Sequence, residues 1–548
     1  MNKRLMSCKV LSATLLFVAS AWAQPSGSPA TASRDGAEAP GSRTSRDWVE
    51  GPSSPSPQAV RNAVREYRQQ HELEIVRGYA ELLSLPNVAS DTVNIHANAD
   101  RISALLQTRG LRTRLLEVPG SPPVVFGELS APGAKHTILW YAHYDGQPVD
   151  PSQWASGPWA PTLRDGLTID PAKAIALDSV HAPLNPEWRL YARAASDDKA
   201  PICALLTALD ALRANQIPLA VNLKVFFEGE EEAGSPHLEA ILRQNAALLK
   251  GDVWLLSDGP VHQSRRMQVY FGARGVTDLE MTVYGPARVL HDGHYGNWAP
   301  NPASLLVNLL ASMRDANSHI LIPGYYDDVR PLTTAERGAL AQMPDVDAQL
   351  KQELGLAWTE SKGQPLAAAI AEPSLNIRGL EAGHVESKAQ NAIATEAKAS
   401  LDFRLVPDQK PEKIRELVEQ FIQKQGFTIV HQTPDLETRR AHPMTIKLTW
   451  GTGGYPAERI AIDDPAVRPV IASIEQTLGT PLVKMPMLGG SIPMYLFPQL
   501  LKTPVVGIPI VNHDNNQHGA NENLRLQNLW DGIEIFAGIL TGAERNWR

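Results

Sequence analysis

The sequence predicts an α/β protein in which a mainly parallel sheet carries helices on both faces and a smaller α+β domain is inserted. Between LRTRLLEV at Leu111 and WLLS at Ser257, apolar strand-like segments alternate with helix-like segments. That alternation is typical of a sheet covered by helices. After about Gly275 the segments follow a βαββαβ-like order, which indicates a second, α+β unit. At 548 residues the chain is too long for one compact core.

The elements follow in chain order. Helix patterns cover residues 59–83, 97–110, 200–215 and 235–249, and AVNLKVFF at 220–227 reads as a buried strand. In the inserted part, DLEMTVYG and KASLDFRLV are strand-like, residues 332–371 are mainly helical, and EKIRELVEQFIQKQG is a helix. We therefore place the first part of the main domain at 58–275, the insertion at 276–456 and the second part of the main domain at 457–548.

The amino terminus has the pattern of a secretory signal. Lys3, Arg4 and Lys9 precede an apolar segment that ends in Ala21-Trp22-Ala23, which is a basic region, a short apolar region and a small-residue cleavage site. We expect a signal peptide over 1–23, a secreted or periplasmic location and no membrane attachment after cleavage. Residues 24–57 are rich in Ser, Pro, Gly and Ala and predict a flexible leader.

Composition excludes some classes of function. The net charge is -8, and no basic stripe interrupts the chain, so a nucleic-acid partner is not expected. The two cysteines are Cys8, inside the signal peptide, and Cys203. Cys203 lies in the apolar helix pattern ICALLTALDAL and is expected to be a buried helix residue, with no disulfide in the mature chain.

Polar side chains follow the strand-like segments at five places. These are His143 and Asp145, Asp197 and Asp198, Glu230 to Glu232, Asp258, and the late pair His513 and His518. A run of glutamates alone would most simply be a solvated acidic loop. Parallel strands, however, deliver their carboxyl ends to one edge of a sheet. Mixed histidine and carboxylate ligands without thiolate favour a catalytic zinc-type site at that edge.

The order HxD, SDDK, GxEExGS, D and a late His before Asn-Glu resembles the zinc exopeptidases that include carnosine dipeptidase, aminoacylase and glutamate carboxypeptidase. IPGYYDDV, LDFRLVPDQ and GGSIP bring it nearest to the carnosine dipeptidase branch. The resemblance implies two divalent cations, Zn²⁺ first and Mn²⁺ or Co²⁺ as alternatives. The implied ligands are His143 and Asp258 for one cation, Glu232 and His518 for the other, and Asp197 between them. The sequence around His518 departs from the relatives, so His513 stays an alternative ligand.

The resemblance also implies roles outside the ligand set. Asp145 would orient His143, and Glu231 would be the general base. His291 would be the lid histidine that stabilises the oxyanion, in dimeric members at the partner's site. Arg404 would bind the substrate's free carboxylate, with Gly490 and Ser491 as further hydrogen-bond donors.

The function that these residues predict is a secreted metallo-exopeptidase that cleaves dipeptides or the terminal bond of short peptides. The alternatives are an N-acyl-amino-acid amidohydrolase that uses the same site and, from another class, a non-catalytic peptide- or metal-binding protein. The resemblance further implies a homodimer formed through the inserted lid and dimerisation domain.

Overall fold

The computed structural model describes residues 55–168, 172–361 and 363–547, which lie in one compact unit. The predicted signal peptide and the leader as far as residue 54 lie outside the described residues. The α-helices are α1 Pro57–Leu83, α2 Thr92–Gln107, α3 Lys199–Ala214, α4 Leu238–Gln244, α5 Asp292–Tyr295, α6 Pro302–Met313, α7 Thr334–Ala341, α8 Asp347–Glu353, α9 Leu366–Ile370, α10 Pro411–Lys424, α11 Leu436–Ala441, α12 Arg468–Leu478 and α13 Leu526–Asn546.

The strands are β1 Arg112–Leu116, β2 Val124–Leu129, β3 Thr137–His143, β4 Thr162–Arg164, β5 Ala174–Ile175, β6 Arg189–Tyr191, β7 Asn222–Glu228, β8 Val253–Leu256, β9 Gln268–Tyr270, β10 Gly272–Ala273, β11 Gly275–Tyr284, β12 Leu290–His291, β13 Ser374–Glu381, β14 Ala392–Ile393, β15 Glu396–Leu405, β16 Thr428–Val430, β17 Thr445–Trp450, β18 Glu458–Arg459, β19 Val483–Met485, β20 Val505–Gly507 and β21 Asn523–Arg525. Within the described residues, no helix is long and apolar enough to cross a membrane.

The central sheet has eight strands in the order β1-β2-β7-β3-β8-β20-β9-β19. Its inner strands β7, β3, β8 and β20 run parallel to one another, while β1 and β2 pair antiparallel at one edge. Parallel strands buried on both faces need helices on both sides. The predicted fold class, a mainly parallel sheet with helices on both faces, is confirmed.

Strand β3 shows how the two faces are filled. Ile138 and Trp140 belong to one hydrophobic core, which contains α1, α2, α3, α12 and α13. Leu139 and Tyr141 point to the other core, which contains α4 and the segment 494–501. Alternate residues of a strand face opposite sides, so one buried strand anchors both layers of the main lobe.

The residues between β11 and β17 form a second lobe with its own sheet and its own core. Its five strands have the order β13-β15-β11-β17-β16, and all pairings except β16 with β17 are antiparallel. The apolar face packs on α6 and α10. The inserted α+β unit therefore has the predicted character, whereas the domain boundaries themselves stay predictions.

Two features differ from the sequence-based expectation. The helix predicted over 235–249 is limited to Leu238–Gln244, because Ser235 has a positive φ of 51° and Asn245 hydrogen-bonds back to Ile241 at the other end. A four-stranded sheet, β21-β6-β4-β5, was not expected. Its strands are two or three residues long, too short for a period-2 pattern to be visible.

Candidate active site

The carboxyl ends of three adjacent parallel strands bring polar side chains together. The strand β3 ends at His143, its neighbour β7 leads into Glu231 and Glu232, and its other neighbour β8 leads to Asp258. Asp197 arrives from the turn before α3, and His518 arrives from the loop between β20 and β21. The sequence analysis expected this arrangement, because parallel strands deliver their carboxyl ends to one edge of a sheet.

Two groups of three side chains place their ligand atoms within 4.8 Å of one another. The first group is His143, Asp197 and Asp258, and the second is Asp197, Glu232 and His518. Asp197 belongs to both: its Oδ1 lies 3.0 Å from His143 Nε2, and its Oδ2 lies 3.2 Å from His518 Nε2. Glu232 Oε2 lies 3.4 Å from the same atom of His518. The five predicted ligands therefore form two adjoining sites that share one carboxylate.

Asp145 contacts two of the segments that carry the ligand side chains. It is completely buried, and its Oδ1 lies 3.3 Å from His143 Nδ1. Its two carboxylate oxygens also accept the backbone N–H groups of Glu231 and Glu232, at 3.1 and 3.0 Å. One carboxylate therefore orients the histidine ring and fixes the turn that carries both glutamates.

Glu522 holds the turn that presents Asp197, a role that the sequence reasoning missed. Its side chain is fully buried. Oε1 accepts hydrogen bonds from the backbone N–H groups of Ser196 and Asp197, at 2.8 and 2.9 Å, while Oε2 binds Arg193 at 2.8 Å. Its place in the HGANE segment, just after His518, was the available signal. Sequence spacing, however, carries no information on which turn a carboxylate distant in the chain will cap.

The three consecutive glutamates face in different directions. Glu232 Oε2 lies in the ligand group and accepts a 2.6 Å hydrogen bond from Gln147. Glu231 Oε2 stands 4.0 Å from His143 Nε2, at the border of the group. Glu230 turns away and binds His237, at 2.9 Å from Nδ1. The three side chains therefore have different surroundings, and the roles that the resemblance implies for them stay predictions.

The pKa values of the ligand residues and Glu231 indicate that negative charge exceeds positive charge in this cluster. Burial and the neighbouring carboxylates raise the pKa of Glu231 well above its usual value. Burial and the Asp197 charge raise the pKa of Glu232 to about 8 and that of Asp258 to about 6. The hydrogen bond to Asp197 raises the pKa of His518 to about 9. The raised carboxylate pKa values are the direction expected where carboxylates crowd together, and a cation beside them would favour the ionised forms instead.

The donor set fits divalent cations. Glu232 Oε1 is buried without a hydrogen-bond partner, which is costly for a carboxylate oxygen unless a cation or a proton meets it. The two groups contribute only imidazole nitrogens and carboxylate oxygens, a combination that suits Zn²⁺ and related borderline ions. Of the two late histidines, His518 joins the described ligand groups, whereas His513 lies half-buried near His262 and Asp514.

Arg404 lies on β15 and reaches the GGSIP turn. Its Nη1 donates to Ser491 Oγ at 2.7 Å, and its Nε donates to Asp402 at 2.8 Å. Gly490, the neighbour of Ser491, is exposed. Arg274, which sequence reasoning missed, supports the same turn through Gly489 O at 3.2 Å. Burial, and then the Arg404 charge, lower the pKa of Arg274 to about 10, as expected where two guanidinium groups lie near each other.

His291 is the predicted site residue that the structure does not bring to the ligand groups. It ends β12 in the second lobe, and its side chain is 57% exposed. Its Nδ1 accepts the Gly293 N–H at 3.1 Å, and its ring lies 4.7 Å from the ring of His294. Among the described residues, its side chain contacts these loop neighbours and Asp292, and its backbone pairs with Ala392 of β14.

Comparison with known proteins agrees with this geometry. Residues 139–542 match the model of the peptidase family M20/M25/M40. The chain is 27% identical over 488 residues to the Cys-Gly metallodipeptidase dug1 of Schizosaccharomyces pombe, covering 84% of this chain and 94% of that protein. It is 27% identical over 514 residues to the human Beta-Ala-His dipeptidase, covering 89% of this chain and 94% of that protein.

Solved structures show the same fold. The M20 family metallo-carboxypeptidase Sso-CP2 from Sulfolobus solfataricus superposes with a TM-score of 0.69 at 28% identity, covering 86% of this chain and 99% of that one. Human carnosine dipeptidase 1 gives a TM-score of 0.70 at 24% identity, covering 90% and 100%. The resemblance inferred from the motifs is confirmed. Because the family model spans most of the chain, the protein belongs to the peptidase family M20/M25/M40 and is a metallopeptidase.

Proposed function

We propose that the protein is a dipeptidase that binds two divalent cations, Zn²⁺ in the first instance, and hydrolyses the peptide bond of a dipeptide with a free C-terminus. The observation that carries this proposal is the pair of adjoining ligand groups that share Asp197, with Glu231 at their border. The names of the relatives, a Cys-Gly metallodipeptidase and a Beta-Ala-His dipeptidase, support dipeptides as the substrate class.

Each residue has a task in the proposed reaction. His143 and Asp258 would hold one cation, Glu232 and His518 the other, and Asp197 both. Bound there, the cations would lower the pKa of water and polarise the scissile carbonyl. Glu231 Oε2 would take the proton from the attacking water and pass it to the leaving amine.

The C-terminal carboxylate of the substrate would bind at Arg404. The guanidinium group is held by Asp402 and Ser491, which leaves its position fixed before substrate arrives. A planar guanidinium can meet a carboxylate with two parallel hydrogen bonds. Ser491 Oγ and the exposed backbone at Gly490 would add donors on the same side. This pocket limits substrates to those that end close to the scissile bond.

The test combines metal analysis with a substrate panel. We expect the purified protein to bind zinc and to hydrolyse dipeptides, but not their C-terminally amidated analogues. Glu231→Gln is expected to keep both metals and to lose at least about a hundredfold in kcat, the usual contribution of a general base. Glu230→Gln is the matched control, because Glu230 faces His237. Wild-type turnover in Glu231→Gln, or a preference for N-acyl amino acids over dipeptides, would refute the proposal.

We also propose a homodimer formed through the second lobe. Strand β13 lies at the edge of the five-stranded sheet, and its residues 376–381 are exposed. Large apolar side chains exposed on this lobe include Val289, Trp298, Val307, Ile377, Leu380 and Val385. An exposed edge strand with apolar side chains is a template for pairing with another chain. His291, exposed on the same lobe, would then serve the active site of the second subunit.

We further propose that the protein is exported. The support is the amino-terminal pattern, in which a basic segment, the apolar run after Val10 and Ala21-Trp22-Ala23 follow one another. The mature protein is expected to begin at Gln24 and to occur outside the cytoplasm. Mass spectrometry of the intact protein recovered from cell fractions tests both points. A cytoplasmic protein that retains residues 1–23 would contradict export.

A further inference from the structure

A row of side chains crosses the junction of the two lobes beside Arg404. Arg404 pairs with Val276 of β11, and Val276 pairs on its other side with Tyr455. The second pairing is closed by two backbone hydrogen bonds, Val276 N to Tyr455 O at 3.0 Å and Tyr455 N to Val276 O at 2.9 Å. Residues directly opposite in antiparallel strands project from the same face. Tyr455 therefore projects on the side of the sheet where Arg404 meets Ser491.

Tyr455 has an aromatic partner next to the GGSIP turn. Its ring stacks on that of Tyr495, with centroids 5.9 Å apart and an interplanar angle of 17°. Tyr495 follows Ser491 by four residues, so the stack joins the strand row to the turn that meets Arg404. Both rings are only half-buried. Among the described residues, the hydroxyl of Tyr455 makes no hydrogen bond, so no polar contact turns the ring away from the cleft.

Charged groups of both the ligand cluster and the carboxylate pocket act on Tyr455. Burial, and then the charge of Glu231, raise the pKa of Tyr455, while the charge of Arg404 lowers it. The phenol is therefore within electrostatic reach of the proposed base, and the strand pairing places it on the same face as the proposed carboxylate anchor. Leu488 lies beside the Asp258 end of the ligand cluster, because a Cβ added to Gly259, the residue after Asp258, would lie 3.5 Å from the Leu488 side chain.

We propose that Tyr455 and Tyr495 form the wall of the subsite for the side chain of the substrate's C-terminal residue, and that this wall selects apolar and aromatic side chains. The inference rests on the proposed dipeptidase function. A dipeptide whose carboxylate binds Arg404 and whose peptide carbonyl lies at the ligand groups places its C-terminal side chain between those two points. There it meets two aromatic rings and Leu488, which gain from contact with an apolar side chain and gain little from glycine.

The test compares two dipeptides, Ala-Phe and Ala-Gly, on the zinc-loaded full-length protein. The wild type is expected to show a higher kcat/KM for Ala-Phe. Tyr455→Ala is expected to lower the Ala-Phe to Ala-Gly ratio by about tenfold, the scale on which apolar pockets discriminate. Tyr495→Ala is expected to change the ratio in the same direction, and Tyr455→Phe to preserve the preference. Inhibition of the wild type by free L-phenylalanine should weaken in Tyr455→Ala.

Tyr284→Ala is the matched control, because Tyr284 ends the same strand β11 far from Val276 and faces Arg439. The ratio of kcat/KM for Ala-Phe to that for Ala-Gly is expected to be the same in this variant as in the wild type. If the wild type hydrolyses both peptides but shows no preference, or if Tyr455→Ala keeps the wild-type ratio with its zinc bound, the dipeptidase proposal stands and this inference is overturned. If the wild type hydrolyses neither peptide, both fail together.

Discussion

At the scale of single residues, carboxylates that do not belong to the ligand groups determine where the ligands lie. Asp145 contacts the His143 ring and the backbone of the glutamate turn, and Glu522 contacts the backbone of the Asp197 turn. Each carboxylate is buried and uses both of its oxygens. The geometry of the candidate metal centre therefore depends on side chains that would not touch a cation themselves.

Asp145→Asn tests this dependence. The asparagine keeps one oxygen, but its NH₂ group faces a backbone N–H that Asp145 now satisfies. We expect zinc affinity to fall by about 10- to 100-fold, as for other residues that orient a ligand. Competition with a chromophoric chelator measures the affinity. Asp150→Asn is the control, since Asp150 caps an exposed turn. Equal zinc affinity in Asp145→Asn and the wild type would show that His143 and the glutamate turn hold their positions without this carboxylate.

At the scale of elements, the loop between β20 and β21 must be held in place because it carries His518. Asp514 in this loop accepts hydrogen bonds from Arg189 of β6 at 3.0 and 2.6 Å and from Asn512 at 2.9 Å. Burial alone would raise the pKa of Asp514, but the bonds to Arg189 outweigh it and lower the pKa to about 2. The ion pair connects the loop to the small sheet.

This shift predicts a pH-dependent stability. The folded pKa of Asp514 lies below the unfolded value of about 3.9, so the ion pair contributes stability above pH 4 and loses it as the pH falls toward 2. The full contribution is about 2.5 kcal/mol, of which roughly half is lost by pH 3. Urea unfolding at pH 6 and pH 3 should show a stability gap between wild type and Asp514→Asn that narrows at pH 3.

Asp345→Asn serves as the control for that experiment, because Asp345 is exposed and its carboxylate accepts a hydrogen bond from the Asp347 N–H. Its stability gap to the wild type should stay within about 0.5 kcal/mol at both pH values. A gap for Asp514→Asn that is the same at pH 6 and pH 3 would contradict the lowered pKa.

Elements also mark the limit of what the sequence could predict. The grouping of His143, the 230–232 glutamates and Asp258 was predictable because each stands at or after the end of an apolar strand, and parallel strands end at one edge. The choice of Glu232 among the three glutamates came from the family resemblance. The roles of Arg274, Tyr455 and Glu522 could not be predicted, because they depend on which strands lie next to each other in the folded protein. The strands β6 and β21 of the small sheet have three residues each. A pairing that short is fixed by tertiary contacts rather than by a pattern along the chain.

At the scale of the whole molecule, one proposed active-site group stands apart from the others. The ligand groups and Glu231 lie in the main lobe, and Arg404 reaches from β15 across the lobe junction to Ser491. His291 is exposed on the second lobe, and its described side-chain contacts are within its own loop. A second copy of the chain, paired through β13, would supply the histidine from outside. The proposed dimer would thereby make each site depend on two chains.

Mixing two inactive variants tests that dependence. Glu231→Gln lacks the proposed base and His291→Ala lacks the lid histidine, so each homodimer is expected to be nearly inactive. In a mixed dimer, one site would combine the intact Glu231 of one chain with the intact His291 of the other. Random exchange of subunits should therefore restore about a quarter of wild-type activity, because half of the dimers are mixed and each has one complete site.

Size-exclusion chromatography with light scattering checks the dimer, and Leu380→Asp on the exposed edge strand should abolish both the dimer and the recovery. Recovery that is absent from a mixture shown to contain mixed dimers would mean that His291 acts in its own chain or not at all.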